Sequence, residues 1–486
     1  MRFASLTLAA LLAFSALPAA AEDGPAAAPA KAIVLGAGYG LAAGDFGYFV
    51  VDVADGSEVA ELNADLSFIP ASVAKIPTTA ASIEILGEKH HFDTTVSIEG
   101  DVVDGVLDGT LTIRGGGDPS LTGDDLKALA RDIAKSGIKK AVAFHYDATG
   151  LVETAQISAG QPQAAGYNPG VGPLSVNYNR IRVKWRNDAK GPAGEAITVS
   201  DGTTLPLGAM IRFAPGDATL PGPFARAGQA SEDSWLLSPT LSSKGEDWLP
   251  IGNPALVAAQ MLRLLAAEEG VILPEPKPGV AVAAAKEIAR HQSGDLAGLV
   301  RETLRHSNNM AAELIGLAAS RKLGNQAHSL DESAEALSTW WRKRMPEVDW
   351  TGFSLENHSG LSTKSRATPR QVVAMLTHMA GEPDGDAFHD LLRAASWKAP
   401  NGKTVNIRSK TGTIAYGRGL AGYIDLADGR QLAFAVFFND LKKRAALDAA
   451  FDPRVDAIEP ASRPWRNRVL RMEEMLINGW ATGSWK

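Results

Sequence analysis

Two Asp–Gly dipeptides lie near opposite ends of the chain, Asp55–Gly56 in "FGYFVVDVADGSEVAEL" and Asp428–Gly429 in "GLAGYIDLADGRQLAFAVFFND". An Asp–Gly pair supplies the positive φ that a tight hairpin demands, so each segment reads as two antiparallel strands. If both hairpins share one sheet, the two ends of the chain build one domain and the middle is an insertion. The expected fold class is α+β, an antiparallel sheet flanked by helices with β-rich inserted domains.

The middle supports this division. It is rich in Gly, Pro, Val and Thr, with strand-like "GTLTIRGGGD", "KAVAFHYD" and "NRIRVKW" and few helical stretches. Helical periodicity returns in "DLAGLVRETLRHSNNMAAELIGLAAS", where Leu296, Leu299, Val300 and Leu304 fall on one face. The expected partition is a leader over 1–21, a first part of the main domain over 22–92, an insertion over 93–290 and the second part over 291–486. The insertion divides further, with an inner unit over about 183–250.

A chain of 486 residues with 45% hydrophobic content can bury a large core. Its net charge of −7, without basic runs interleaved with aromatics, argues against nucleic acid as a partner. The opening "MRFASLTLAALLAFSALPAAAED" has one cation, a short apolar run and small residues at Ala19 and Ala21, the pattern of a secretory signal peptide cleaved after Ala21. Export to the periplasm is therefore expected. No later stretch approaches ~18 apolar residues, so membrane association is at most peripheral, through the Trp465- and Trp480-bearing C-terminal helix if that helix does not pack on the sheet. The absence of cysteine excludes disulfides, thiol catalysis and cysteine zinc sites. After the leader, "AEDGPAAAPAKA" reads as an unstructured lead-in, and "AIVLGAGYGLAAG" as a strand plus a GxGxxA turn. Gly44 and Gly47 interrupt before any dinucleotide-binding helix, so the nucleotide reading fails.

Three short motifs carry chemistry. In "SVAK", Ser72 and Lys75 are one helical turn apart among Ile69, Ala71, Val73 and Ile76. Desolvation there would depress the lysine pKa and make it a base, although a snorkelling lysine beside a capping serine has the same spacing. A second SxxK, Ser136 to Lys139, ends an ordinary helix with two lysines in solvent. Ser307–Asn308–Asn309 stands between two helical patterns, either as a functional polar knot or as an N-cap; Ser175–Val176–Asn177 repeats its spacing at the start of a strand. Lys410–Thr411–Gly412 lies on a late strand, where a lysine and a hydroxyl beside a mid-strand glycine suit a carboxylate, or merely protect an edge. His90, His91, His306 and His358 are scattered without an HExxH, so no metal site and no cofactor are expected.

SxxK at a helix start, SxN between helices and KTG on a late strand, in that order, form the fingerprint shared by β-lactamases and penicillin-binding proteins. With "PASVAKIPTTAASIEILG", "IRGGGDPSLTGDDLKALA", "GPLSVNYNRIRV", "LVRETLRHSNNMAAELI", "NHSGLST" and "SKTGTIAYGRGLAGYI", the chain resembles the class C low-molecular-mass penicillin-binding proteins, the D-alanyl-D-alanine carboxypeptidase/endopeptidase family. The resemblance implies a serine β-lactamase/transpeptidase-like domain carrying the insertions. It implies Ser72 as nucleophile, Lys75 as base, Ser307 as proton relay and Asn309 as holder of the substrate's backbone amide. Lys410 and Thr411 would bind the terminal carboxylate, Gly412 would keep the strand slim, and the N–H groups of Ser72 and Thr413 would form the oxyanion hole. Peptidoglycan stem peptides and β-lactam antibiotics are the implied partners. Ser175–Asn177 then belongs to a family stretch outside the active site. The tryptophan-bearing acidic segment usual before "GPLSVN" is replaced by "SAGQPQAAGYNPGV", so no stem side chain is implied. Pro77 removes a helix hydrogen bond and predicts a kink or a fresh helix start near Lys75. The rival readings are a β-lactamase, against which no deacylating glutamate can be assigned, and a peptidoglycan-binding relic without catalysis.

Overall fold

A computed structural model describes residues 27–200, 202–382, 385–454 and 460–484; the leader at 1–21 lies outside them. Both Asp–Gly hairpins lie in one six-stranded antiparallel sheet. Its strands run in the order Arg393–Lys398, Thr404–Ile414, Gly417–Asp425, Gln431–Asn439, Phe46–Asp52, Glu58–Leu62. Phe46 pairs with Phe438 and Asp52 with Leu432, so the first and last strands of the chain's two hairpins meet at the sheet centre.

The strand Phe46–Asp52 is buried at every position, which explains why no charge interrupts it before Asp52. Successive side chains point to opposite faces. Phe49 and Val51 join Ala433, Ala435 and Phe437 against the helices Lys75–Leu86, Leu296–His306, Asn309–Lys322, Leu330–Arg344 and Pro369–Gly381. Tyr48 and Val50 join Phe434, Val436 and Phe438 on the other face, under the helix Ser462–Thr482, where Trp465 and Trp480 are each 3% exposed. That helix packs on the sheet, and no described helix is long and apolar enough to cross a membrane.

Two expectations for the start of the chain fail. Ala27–Gly38 is a helix, overlapping both the expected lead-in and the expected strand. Its alanines favour helix, and its small residues let it lie close to the sheet: Ala32 is buried, and a Cβ on Gly36 would stand 2.7 Å from the Phe46 ring. Pro29 falls in its first turn, where a missing N–H costs nothing.

Between the first and second helical runs, Asp93–Val103 and Val106–Gly115 form a hairpin with Lys140–Asp147 parallel beside it, and Lys286–Gln292 pairs back along Asp93–Ile98. The chain thus leaves for this five-stranded sheet and returns from it at adjacent points, Asp93 opposite Gln292. A four-stranded and a three-stranded sheet fall within Arg180–Pro250, and their apolar faces share one core with the helices Gly123–Lys135 and Pro254–Glu268.

Candidate active site

Ser72 lies in a single 3₁₀ turn, Ala71–Ala74, and Lys75 is the first residue of the α-helix that follows. Pro77 falls in that helix's opening turn, so it marks a fresh start rather than a kink. The turn packs on the strand Thr404–Ile414 so closely that a Cβ on Gly412 would stand 2.5 Å from the Pro70 carbonyl and 3.0 Å from the Ser72 nitrogen. Gly412 therefore slims the strand for the backbone of Ser72 itself, a contact that its place in a KTG triplet does not reveal.

Lys75 has no exposed surface. Its Nζ donates to Ser72 Oγ at 3.1 Å, Asn309 Oδ1 at 2.7 Å and the Ser359 carbonyl at 2.7 Å. Burial, with the charge of Lys410 adding to it, drives the Lys75 pKa well below the usual lysine range, and the Glu313 carboxylate pulls the other way. A neutral amine in this position has a lone pair for the Ser72 proton and two N–H groups for the other acceptors.

Ser307 ends the helix Leu296–His306 in a left-handed conformation, φ 54°, a position usually given to glycine or asparagine. Asn308 is the N-cap of the next helix, its Oδ1 accepting from the Ala311 N–H at 3.0 Å. The capping reading of the triplet thus holds for its middle residue. Asn308 caps, while Ser307 and Asn309 on either side face the lysines.

Lys410 is 2% exposed, and its Nζ donates to Ser307 Oγ at 2.9 Å and to the Thr411 carbonyl at 2.6 Å. Burial first, and then the charges of Arg418 and Arg393, push its pKa down to about 7. Thr411 and Thr413 are exposed on the strand. Thr413 Oγ1 accepts from Arg418 Nη1 at 3.0 Å, and Arg418 is held by a bidentate pair with Glu473 at 2.6 and 2.7 Å.

The decoys stay apart. Ser136 Oγ bonds back to the Ile133 carbonyl at 2.7 Å and Lys139 is in solvent. Ser175 Oγ donates to the Gly172 carbonyl and accepts from Asn179 Nδ2. Among the described residues, Glu84, His378 and Glu382 have ligand atoms within 4.8 Å of one another, but Arg344 already donates to both carboxylates at 2.8 and 3.0 Å.

Sequence reasoning missed Glu313. It has no exposed surface, and its carboxylate accepts the N–H groups of His358 at 3.0 Å and Ser359 at 2.9 Å. It thereby fixes the carbonyl to which Lys75 donates. Burial raises its pKa, opposed by those hydrogen bonds and by Lys75. The available signal was an acid one helical turn beyond Asn309 in the otherwise apolar "NMAAELIGLAAS". Tyr167 was missed too: its carbonyl accepts from Asn309 Nδ2 at 2.9 Å. A cavity of about 500 Å³ opens beside this contact, with Ser307 and Asn309 in its wall.

The model of the D-Ala-D-Ala carboxypeptidase 3 (S13) family matches residues 40–456. A D-alanyl-D-alanine carboxypeptidase from an Actinomadura species is 26% identical over 432 residues, covering 81% of this chain and 77% of the relative. The D-alanyl-D-alanine carboxypeptidase DacB of Haemophilus influenzae is 22% identical over 424 residues, covering 81% of this chain and 85% of its own. The crystal structure of penicillin binding protein 4 from Haemophilus influenzae superposes with a TM-score of 0.71 at 18% identity, covering 88% of this chain and 96% of that one.

Proposed function

The chain belongs to the D-Ala-D-Ala carboxypeptidase 3 family, with serine-type cleavage of D-alanyl-D-alanine bonds as its activity, and from that premise we propose how its residues divide the work. Ser72 Oγ attacks the carbonyl carbon of the D-Ala–D-Ala bond while its proton passes to the neutral amine of Lys75. The oxyanion forms against the N–H groups of Ser72 and Thr413, each such donor being worth roughly 3–4 kcal/mol of barrier. Ser307, bonded to Lys410, passes a proton to the departing amine as the C–N bond breaks. The Lys75 ammonium then returns its proton to Ser307, restoring the neutral amine; water attacks the acyl-serine, its proton passing to Lys75 and on to Ser72 Oγ as the acyl ester breaks. Asn309 turns from the Tyr167 carbonyl to the peptide, and Thr411, over the positive field of Lys410, takes the terminal carboxylate.

The observation that carries this reading is the three-way contact of Lys75 with Ser72, Asn309 and Ser359 in a site without solvent exposure of the lysine. It also favours slow release of a β-lactam adduct. Glu313 has no exposed surface and its oxygens face the N–H groups of His358 and Ser359, so burial sets that carboxylate apart from a deacylating water. The Haemophilus penicillin binding protein 4 has been captured with a β-lactam, and we extend covalent penicillin binding and cleavage of cross-linked stem peptides to this chain. The leader over 1–21 supports export to the periplasm. We read 93–290, with an inner unit near 183–250, as an insertion within the catalytic domain.

Peptide mapping after brief penicillin exposure tests the assignment. The adduct is expected on Ser72, with Ser136 unmodified. An adduct on Ser136, or none at any concentration, overturns the mechanism, and rapid release of hydrolysed drug favours a β-lactamase.

A further inference from the structure

Glu313 and Gly316 follow Asn309 by one and two helical turns, so all three share one face of the helix Asn309–Lys322. Asn309 accepts from Lys75, and Glu313 accepts the N–H groups of His358 and Ser359. Gly316 has no side chain to offer, and a glycine inside a helix weakens it, so its place there calls for a neighbour that no larger residue allows. That neighbour is the His358 ring: a Cβ on Gly316 would overlap its Cγ and Nδ1.

His358 has no exposed surface. Its Nε2 lies 2.8 Å from Ser333 Oγ, its N–H donates to Glu313, and its carbonyl accepts from Thr78 Oγ1 at 2.9 Å. Ring and backbone thus fasten one residue to three helices, Lys75–Leu86, Asn309–Lys322 and Leu330–Arg344. Burial pushes the ring's pKa down to about 3, so it is neutral at any pH near 7. Its Nδ1 has no hydrogen-bond partner among the described residues, a cost that an apolar side chain would avoid. The two residues that follow face the reacting groups. The Ser359 carbonyl accepts from Lys75 Nζ at 2.7 Å, and Gly360, at φ 72°, lies so near the turn of Ser72 that a Cβ on it would overlap the Ala71 carbonyl.

We propose that His358 is a positioning residue for the reaction: its ring, seated in the notch that Gly316 leaves and tied to Ser333, holds the Ser359 carbonyl where it sets the direction of the Lys75 amine. The proposal rests on the reading of Ser72 and Lys75 given above. His358 acts through Ser359, since the partners of Lys75 Nζ are Ser72, Asn309 and Ser359. A carbonyl displaced by ~1 Å would turn the amine lone pair away from the Ser72 hydroxyl, and misplacement of that size can cost about 100-fold in rate.

Penicillin acylation of His358→Ala, resolved across pH into the binding constant and the rate of the covalent step, tests it. The covalent rate is expected to fall about 10–100-fold with the binding constant unchanged. Lys75 loses an acceptor that favours its charged form, so the acid limb should also move to lower pH. A protein that is only destabilised would lose amplitude in proportion to its folded fraction and keep the limb in place. His358→Gln, whose amide can meet Ser333, should restore part of the rate. Gly316→Ala should reproduce the loss in the wild type yet add little to His358→Ala, where the methyl enters vacated space. An unchanged rate and limb in folded His358→Ala, or losses that simply multiply in the double variant, overturn the proposal. If His358→Ala does not fold, Ser333→Ala, which removes only the ring's hydroxyl partner, carries the test: a slower covalent step with a moved limb supports the proposal, and an unmoved limb overturns it. No penicillin adduct on Ser72 in the wild type would instead overturn the catalytic assignment.

Discussion

The Lys410 ammonium donates to the Ser307 hydroxyl across 2.9 Å, joining a strand near the end of the chain to the gap between two helices about a hundred residues earlier. Because burial and two arginines hold the Lys410 pKa at about 7, this contact has a charge that changes within the working range. Below that pH Lys410 is a cation facing the substrate carboxylate; above it the attraction is lost. The kcat/KM for a free-acid donor is expected to fall as pH rises through about 7. Lys410→Arg, which stays charged, should remove that limb, and a limb that survives in the variant dissociates it from Lys410.

The same shift has a stability consequence. An unfolded lysine titrates near ~10.4, so between about 7 and that value the unfolded state holds a proton that folded Lys410 has released. The unfolded state binds more protons, so stability rises with pH across this window, and buried Lys75 acts in the same direction. Denaturant midpoints measured from pH 7 to 10 should rise in wild type and rise less in Lys410→Met.

Lys75→Arg replaces the amine with a guanidinium that stays protonated and has no lone pair for the Ser72 proton. Penicillin acylation of Ser72, followed by intact mass, is expected to slow by about 10²–10⁴-fold with a cooperative melt retained. Acylation at the wild-type rate would remove Lys75 as the base.

Glu313→Gln keeps the shape under Lys75 but removes a charge and one of two acceptors for buried N–H groups. A loss of about 1–3 kcal/mol in unfolding free energy is expected. Because Glu313 raises the Lys75 pKa, the acid limb of the acylation profile should also move to lower pH. A stability loss with an unmoved limb would leave Glu313 a structural residue only.

Gly412→Ala places a methyl 2.5 Å from the Pro70 carbonyl and 3.0 Å from the Ser72 nitrogen. The turn must shift, at an expected cost of about 1–3 kcal/mol in stability, and acylation should drop at least about 100-fold as the oxyanion donors separate. Crystals of the variant with Ser72 in place would contradict this.

Much of the molecule was legible in residue patterns, for reasons that are local. Asp–Gly turns, apolar alternation and the 3.6-residue period report backbone geometry through neighbours in sequence, so both hairpins, the helix carrying Trp480 and the strand carrying Lys410 follow from them. Ser72, Lys75, Ser307, Asn309 and Lys410 stood out through the order of three motifs along the chain, each of which alone has an ordinary structural reading. The helix Ala27–Gly38 was misread because Gly and Ala suit both a turn and a close-packed helix, and its burial against Phe46 decides between them.

What the sequence determined by itself was which elements form and which groups are available to react. Only the tertiary structure decided their state. Lys75 is driven towards its neutral form by burial and by Lys410, is held in place by Ser359, and Ser359 is held by Glu313. Thr413 is set by Arg418, and Arg418 by Glu473. Desolvation and Coulomb interaction depend on distance in space, and apart from Arg418, which faces Thr413 across a hairpin, these partners are brought in by elements far along the chain, so no local pattern records them.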